Sequence, residues 1–339
     1  MSTFLKSYGM VVIKNDSSLW ACGANIYGEL GNNTTDSILI PEKILEGIQE
    51  VAVGDHHSLI LKCNGTLLAC GANFLGQLGI GNTENSLKPV EVMDNVQKIA
   101  AGASHSLILK KDGTLFACGN NSTGQLGDST VTDKNKPVEV MKNVCSISAG
   151  GYHSLILKNN GTLLACGYNH RGQLGDNTTI DKSIPVVIMI DVKFTAAGEY
   201  HSLILKNNGI LFTCGENAEG QLGISTKDSS IIPVEVMNGV KNVAAGSYYS
   251  MLLKDDYSLW TCGSNRFGQM GKGTTEYKNS LSEIMKNVTA IAAGDNHALI
   301  LKNDGTLWAC GSNFYGQLGD GTTENKLVPV RIIPVSAEP

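Results

Sequence analysis

Seven cysteines, Cys22, Cys70, Cys118, Cys166, Cys214, Cys262 and Cys310, recur every 48 residues with no insertion or deletion between them. A strict period of this length marks a tandem array, in which each unit is one supersecondary element that buries its apolar face only against its neighbours. Seven units of 48 account for all but three of the 339 residues. A size prior of ~150 residues per domain points to two domains, whereas the array makes residues 1–339 one domain. Each cysteine opens the same phrase, as in Cys70-Gly-Ala-Asn-Phe-Leu-Gly-Gln-Leu-Gly79 and Cys310-Gly-Ser-Asn-Phe-Tyr-Gly-Gln-Leu-Gly319.

The clearest unit reads Val96 to Gly102, His105 to Lys110, Gly113 to Cys118, a polar loop, then Pro137 to Met141. That pattern predicts four short strands. Asn64-Gly65, Asp112-Gly113, Asn160-Gly161, Asn208-Gly209 and Asp304-Gly305 join the second to the third, and such pairs suit the positive backbone angles of a tight hairpin turn. No segment keeps a 3.6-residue apolar period. Runs such as Leu59-Ile-Leu61 are apolar on both faces, so each small sheet must be covered on both sides, as blades stacked around an axis are. The 39 glycines are largely the same turns repeated, and the 17% of charged residues is low because most strand faces are buried.

The phrase Gly-x-Asn-x-x-Gly-Gln-Leu-Gly, with Ala-Gly-x-x-His-Ser-Leu upstream, resembles the regulator of chromosome condensation repeat family over essentially the whole chain. The resemblance implies an all-β fold, a seven-bladed β-propeller with four antiparallel strands per blade. Thr3 to Leu5 align with Val51 to Val53, and Pro339 aligns with Ile291. The expectation is therefore a ring closed by pairing of the N- and C-terminal strands in one blade.

No run approaches the ~18 apolar residues of a membrane helix, and the N-terminus lacks a secretory signal pattern. The reading is a monomer without membrane contact, cytoplasmic, or nuclear if the source is eukaryotic. A net charge of -5 with no basic stripe argues against nucleic acid as a partner.

The array supplies its own comparison: a residue required by every blade is scaffold, and a residue that varies at a surface position is free to serve a partner. The seven repeated cysteines form no Cys-x-x-Cys pair and belong to different blades, beyond the ~7 Å reach of a disulfide, so they read as free and structural. Cys63 and Cys145 are unpaired extras. His57, His105, His153, His201 and His297 share one repeat position and are expected to hydrogen-bond the backbone of the loop before them. The serines beside them recur with them, which argues against a catalytic dyad. Gly271-Lys272-Gly273-Thr274 fails the phosphate-loop pattern because glycine follows the lysine. Asp128, Asp176 and Asp320 stand too sparsely for a calcium loop. Neither catalytic residue, metal nor cofactor is expected.

The two residues before the repeated histidine are Ser7-Tyr8, Asp55-His56, Ala103-Ser104, Gly151-Tyr152, Glu199-Tyr200, Ser247-Tyr248 and Asp295-Asn296 around the ring. Tyrosine gives large contact area at low entropic cost. The candidate partner-binding residues are therefore Tyr8, Asp55, His56, Tyr152, Glu199, Tyr200, Tyr248, Asp295 and Asn296. A second variable pair sits between Asn and Gly of the signature phrase, and alternating strand direction brings it to the same end. Its aromatic members, Tyr27, Phe74, Phe267, Phe314 and Tyr315, form a secondary patch, although packing beneath the next blade is an alternative role for them.

The resemblance further implies exchange activity toward a Ran-type small GTPase, through acidic and histidine residues of the first loop. Asp55, His56, Glu199 and Asp295 match, while Ala103, Gly151 and Ser247 do not. The first reading is a non-enzymatic module that binds a protein partner, and the alternative is a guanine-nucleotide exchange factor.

Overall fold

A computed structural model describes residues 2–6, as backbone, and 9–332. They form seven separate four-stranded antiparallel sheets, with no helix among the described residues. Blade 1 runs through Ser2–Lys6, Gly9–Ile13, Leu19–Gly23 and Ile38–Leu45. Blade 2 follows with Ile48–Val53, His57–Lys62, Leu67–Gly71 and Ser86–Met93. Blades 3 to 7 start at inner strands Val96–Ala101, Val144–Ala149, Val192–Ala197, Val240–Ala245 and Val288–Ala293. The last outer strand is Lys326–Ile332.

The second strand of each blade is buried on both faces, as in His57 to Leu61, because its sheet is sandwiched between two neighbours. The apolar core accordingly lies at the blade boundaries. Leu59, Leu61 and Leu67 of blade 2 pack with Ile99 and Ile108 of blade 3. Leu299, Leu307 and Ile332 of blade 7 pack with Met10, Val12 and Leu19 of blade 1, which seals the ring. The inner strand of blade 1 also lies beside those of blades 2 and 7. The expected C-terminal contribution to that blade falls on residues 333–339, outside the described residues. Every outer strand but that of blade 6, Lys278–Met285, carries a proline such as Pro137, which removes a donor from an exposed edge.

The repeated polar residues form a clasp at each boundary from blade 2 through blade 6. Ser106 Oγ of blade 3 donates to the Gln77 carbonyl of blade 2 at 2.7 Å, and Cys118 Sγ points at the same oxygen at 3.7 Å. His57 Nε2 of blade 2 lies 3.0 Å from Ser106 Oγ. Since the serine proton is committed to a carbonyl, His57 must donate, which places its proton on Nε2. Equivalent contacts link His105 to Ser154, His153 to Ser202 and His201 to Ser250 at 2.9–3.1 Å. Through Nε2 these imidazoles thus bond the next blade, and it is the histidine carbonyl that bonds the backbone of its own loop. The serine's proton points away from the histidine and the pair is buried, so the contact is no nucleophile–base arrangement.

The signature thiols are buried, and that desolvation pushes Cys70, Cys118, Cys166, Cys214, Cys262 and Cys310 up to about 12 and Cys22 higher still. Cys63 is exposed and Cys145 half-buried. A thiol-reactive chromophore should therefore label Cys63 first and Cys145 slowly, reaching all nine cysteines only in denaturant. The fast phase should vanish in Cys63→Ser, and rapid labelling of more than two thiols in the native protein would contradict this burial.

Candidate binding face

In blades 2 to 5 and 7 the inner strand enters the second through a four-residue turn, Gly-x-x-His, closed by a bond from the glycine N–H to the histidine carbonyl, and in blade 6 Gly246 and Tyr249 close the same turn. That bond is 2.7 Å for Gly54 and His57, and 2.9 Å for both Gly150–His153 and Gly198–His201. The turn has room for only two residues; the second is half-buried in every described turn, while the first is half-buried at Asp55, Glu199 and Asp295 and buried at Ala103, Gly151 and Ser247. Adjacent turns are hydrogen-bonded to one another around the axis, Asp55 N to Ala103 O at 3.2 Å, Ala103 N to Gly151 O at 3.1 Å and Ser247 N to Asp295 O at 3.2 Å. The variable pairs are thus held on a rigid rim. It surrounds the mouth of an axial channel of about 410 Å³, whose wall includes Glu199, Ser247 and Asp295.

The signature loops rise beside this rim. Asn73 Oδ1 accepts from Leu78 N at 2.9 Å, and Gln77 Oε1 accepts from Leu75 N at 3.0 Å. The repeated amides therefore fold the loop and leave the two intervening residues outside. Tyr27 of this loop meets His56 of the turn edge-on at 5.1 Å, and Gln269 bonds Asn296 at 3.4 Å, so both variable pairs occupy one face, as the strand alternation requires.

Tyr152, Tyr200 and Tyr248, from blades 4, 5 and 6, form a continuous terrace of half-buried rings. Tyr152 stacks on Tyr200 at 5.9 Å and 19°, and Tyr200 meets Tyr248 at 6.1 Å. A fourth ring, Tyr168, touches Tyr152 at 6.3 Å and Tyr200 at 5.8 Å, and His170 lies 4.7 Å from it. Tyr168 follows Cys-Gly in the signature phrase and is not among the residues picked out by sequence. The positions equivalent to it, Ala24, Ala72, Asn120, Glu216, Ser264 and Ser312, vary as freely as the rim. Its N–H bonds the Tyr152 carbonyl at 2.9 Å, which fixes the two tyrosines to one another.

Acidic groups surround the terrace. Burial, then Glu199, Asp55 and Asp295, hold the Tyr152 phenol above its usual range. Burial with Glu199 and Glu216 pushes Tyr248 up to about 12, and Tyr200 is raised further. On the far side of the mouth His56 is raised, chiefly by the Glu29 carboxylate 3.9 Å from its Nδ1, with Asp55 and Asp295 adding to the effect.

The secondary patch divides into two edge-on pairs, Tyr27 with Phe74 at 5.4 Å and Phe267 with Phe314 at 5.7 Å. Phe74 and Phe314 are 59% and 58% exposed, so they project to solvent rather than packing beneath the next blade. Tyr315 is also exposed, Asn296 is half-buried, and Tyr8 lies outside the described residues.

Comparison with solved structures gives human WBSCR16 at 22% identity, covering 94% of both chains with a TM-score of 0.84. Yeast RCC1 (Prp20), solved with Kap60 bound, matches at 20% identity over 98% of this chain and 86% of its own, with a TM-score of 0.85. Prp20p from Saccharomyces cerevisiae, described with its binding properties to Gsp1p and histones, matches at 21% over 99% and 88%, with a TM-score of 0.84. No curated protein gives a significant sequence match. At such identities the likeness is one of fold. Sequence profiles add the family: regulator of chromosome condensation (RCC1) repeats match residues 16–61, 64–109 and 112–157, and the RCC1-like domain matches 135–338. The chain therefore belongs to the RCC1-like domain family of repeat propellers.

Proposed function

We propose that this propeller is a protein-binding module that acts by contact rather than catalysis, through the rim and signature loops of one face. The observation that carries this reading is the terrace of Tyr152, Tyr168, Tyr200 and Tyr248, three rings in mutual contact with Tyr248 joined through Tyr200, at positions the scaffold leaves free to vary. Rigid amphipathic rings grouped on a preformed surface are what protein interfaces use as anchors.

The test is affinity capture from the source cell, comparing wild type with a Tyr152→Ala, Tyr200→Ala, Tyr248→Ala triple variant. Recovery of the specific partner should fall more than tenfold while the melting transition stays cooperative. Full recovery by a folded variant would assign the interface elsewhere.

A second reading, nucleotide exchange on a small GTPase, is favoured by Asp55, His56 and Asp295 standing on the loop through which the family resemblance places such contacts. It expects stimulated nucleotide release that Asp55→Ala abolishes.

A further inference from the structure

Resting on that binding reading, we propose that the tyrosine terrace and the carboxylates of Glu199 and Asp295 receive an arginine side chain of the protein partner. Two independent properties of the surface favour a cation. Ring faces attract positive charge through their quadrupole, and four tyrosines lie in one connected group. Beside them, Glu199 and Asp295 line the channel mouth, with Asp55 on the same hydrogen-bonded rim. The same carboxylates act on neighbouring groups: after burial, Glu199, Asp55 and Asp295 disfavour tyrosinate at Tyr152, and, after Glu29, Asp55 and Asp295 favour the charged form of His56.

This face already seats guanidinium groups of the chain itself. Arg266 Nη2 lies 2.6 Å from Glu219 Oε1, and Arg171 Nε lies 3.9 Å from Glu216 Oε1. Glu199 and Asp295 line the channel mouth and act on Tyr152 and Tyr248 of the terrace, so the incoming cation is assigned to them by position. Arginine fits better than lysine because its planar head can lie flat on a tyrosine ring while its fork engages a carboxylate. A phosphate-bearing partner would meet the same carboxylates with repulsion.

The probe is N-acetyl-arginine amide, titrated into full-length protein carrying 13C-labelled tyrosine and followed by NMR, with neutral N-acetyl-citrulline amide of the same shape in parallel. The expected result is shifts concentrated in Tyr152, Tyr168, Tyr200 and Tyr248, with citrulline at least fivefold weaker and the lysine analogue weaker than arginine. Glu199→Gln with Asp295→Asn should weaken arginine at least fivefold and leave citrulline unchanged, the other tyrosine signals reporting that the fold is intact. Equal binding of citrulline, indifference to the double variant, or no shift at about 50 mM ligand would overturn the proposal. Should the triple tyrosine variant lose its partner while arginine amide fails to bind, the face binds by other chemistry and only this inference falls. Should the triple variant keep its partner, the binding reading itself falls.

Discussion

Gly167→Ala is expected to destabilise the propeller by about 3 kcal/mol or more and to displace the terrace, whereas Gly305→Ala should cost about 1 kcal/mol. Both glycines have positive φ, +105° and +80°, so backbone angle alone does not separate them. Space does. A Cβ on Gly167 would sit 2.5 Å from the Tyr152 carbonyl oxygen and 2.8 Å from the His153 Cα, both backbone atoms, while a Cβ on Gly305 meets nothing within 4 Å. The array supplies the control. At the hairpin position of Gly305, two blades carry Ser17 and Tyr257 with φ of 63° and 62°, so side chains are accepted there. At the position of Gly167 all seven blades keep glycine with φ between 100° and 111°. Because the Tyr168 N–H bonds the Tyr152 carbonyl at 2.9 Å, pushing that carbonyl away also separates the two tyrosines. Urea unfolding measures the stability difference, and the aromatic NMR signals of Tyr152 and Tyr168 report the displacement. Equal costs at the two glycines would remove the steric argument.

Blade number, strand order and the two exposed loop positions were legible because the period makes every unit a copy of the same experiment. The clasp was not. In a sequence of period 48, a contact between neighbours in one unit and a contact between units carry the same pattern: Ser58 and Ser106 both match the serine that accompanies His57, yet only Ser106 receives its proton. Tyr168 was missed for the opposite reason, since it lies inside a phrase whose flanking Gly167 and Asn169 are scaffold. Phe74 and Phe314 were assigned to the right face, but their protrusion depends on the amide bonds of Asn73, Gln77 and their equivalents, which fold the loop beneath them.

The burial of the repeated histidines makes acid the second strong lever on this fold. Burial holds His201 near about 3 and His297 near about 4, against an ordinary value of 6.5. The unfolded chain takes up these protons as pH drops below 6.5 and the folded chain refuses them. Above pH 6.5 both states are neutral at these residues and they add no pH dependence; as pH falls through 6.5 toward 4, each histidine removes roughly 1.4 kcal/mol of stability per pH unit. Glu50 opposes part of this, because burial raises it to about 7, so its folded form gains a proton over the same range. A substitution that isolates the histidine term is written in the array itself. Blade 6 carries Tyr249 in place of histidine, its hydroxyl donating to the His297 carbonyl at 2.5 Å, and blade 7 correspondingly carries Ala298 where blades 2 to 6 have serine. The larger ring needs the space that the missing hydroxyl leaves. His201→Tyr alone should therefore be destabilising through overpacking by about 1–3 kcal/mol, and adding Ser250→Ala should restore much of that loss. Between pH 7.5 and 5.0 the double variant should lose about 2 kcal/mol less stability than wild type, as read by urea unfolding at the two pH values. An unchanged difference between the two pH values would mean that His201 is not held neutral by its burial.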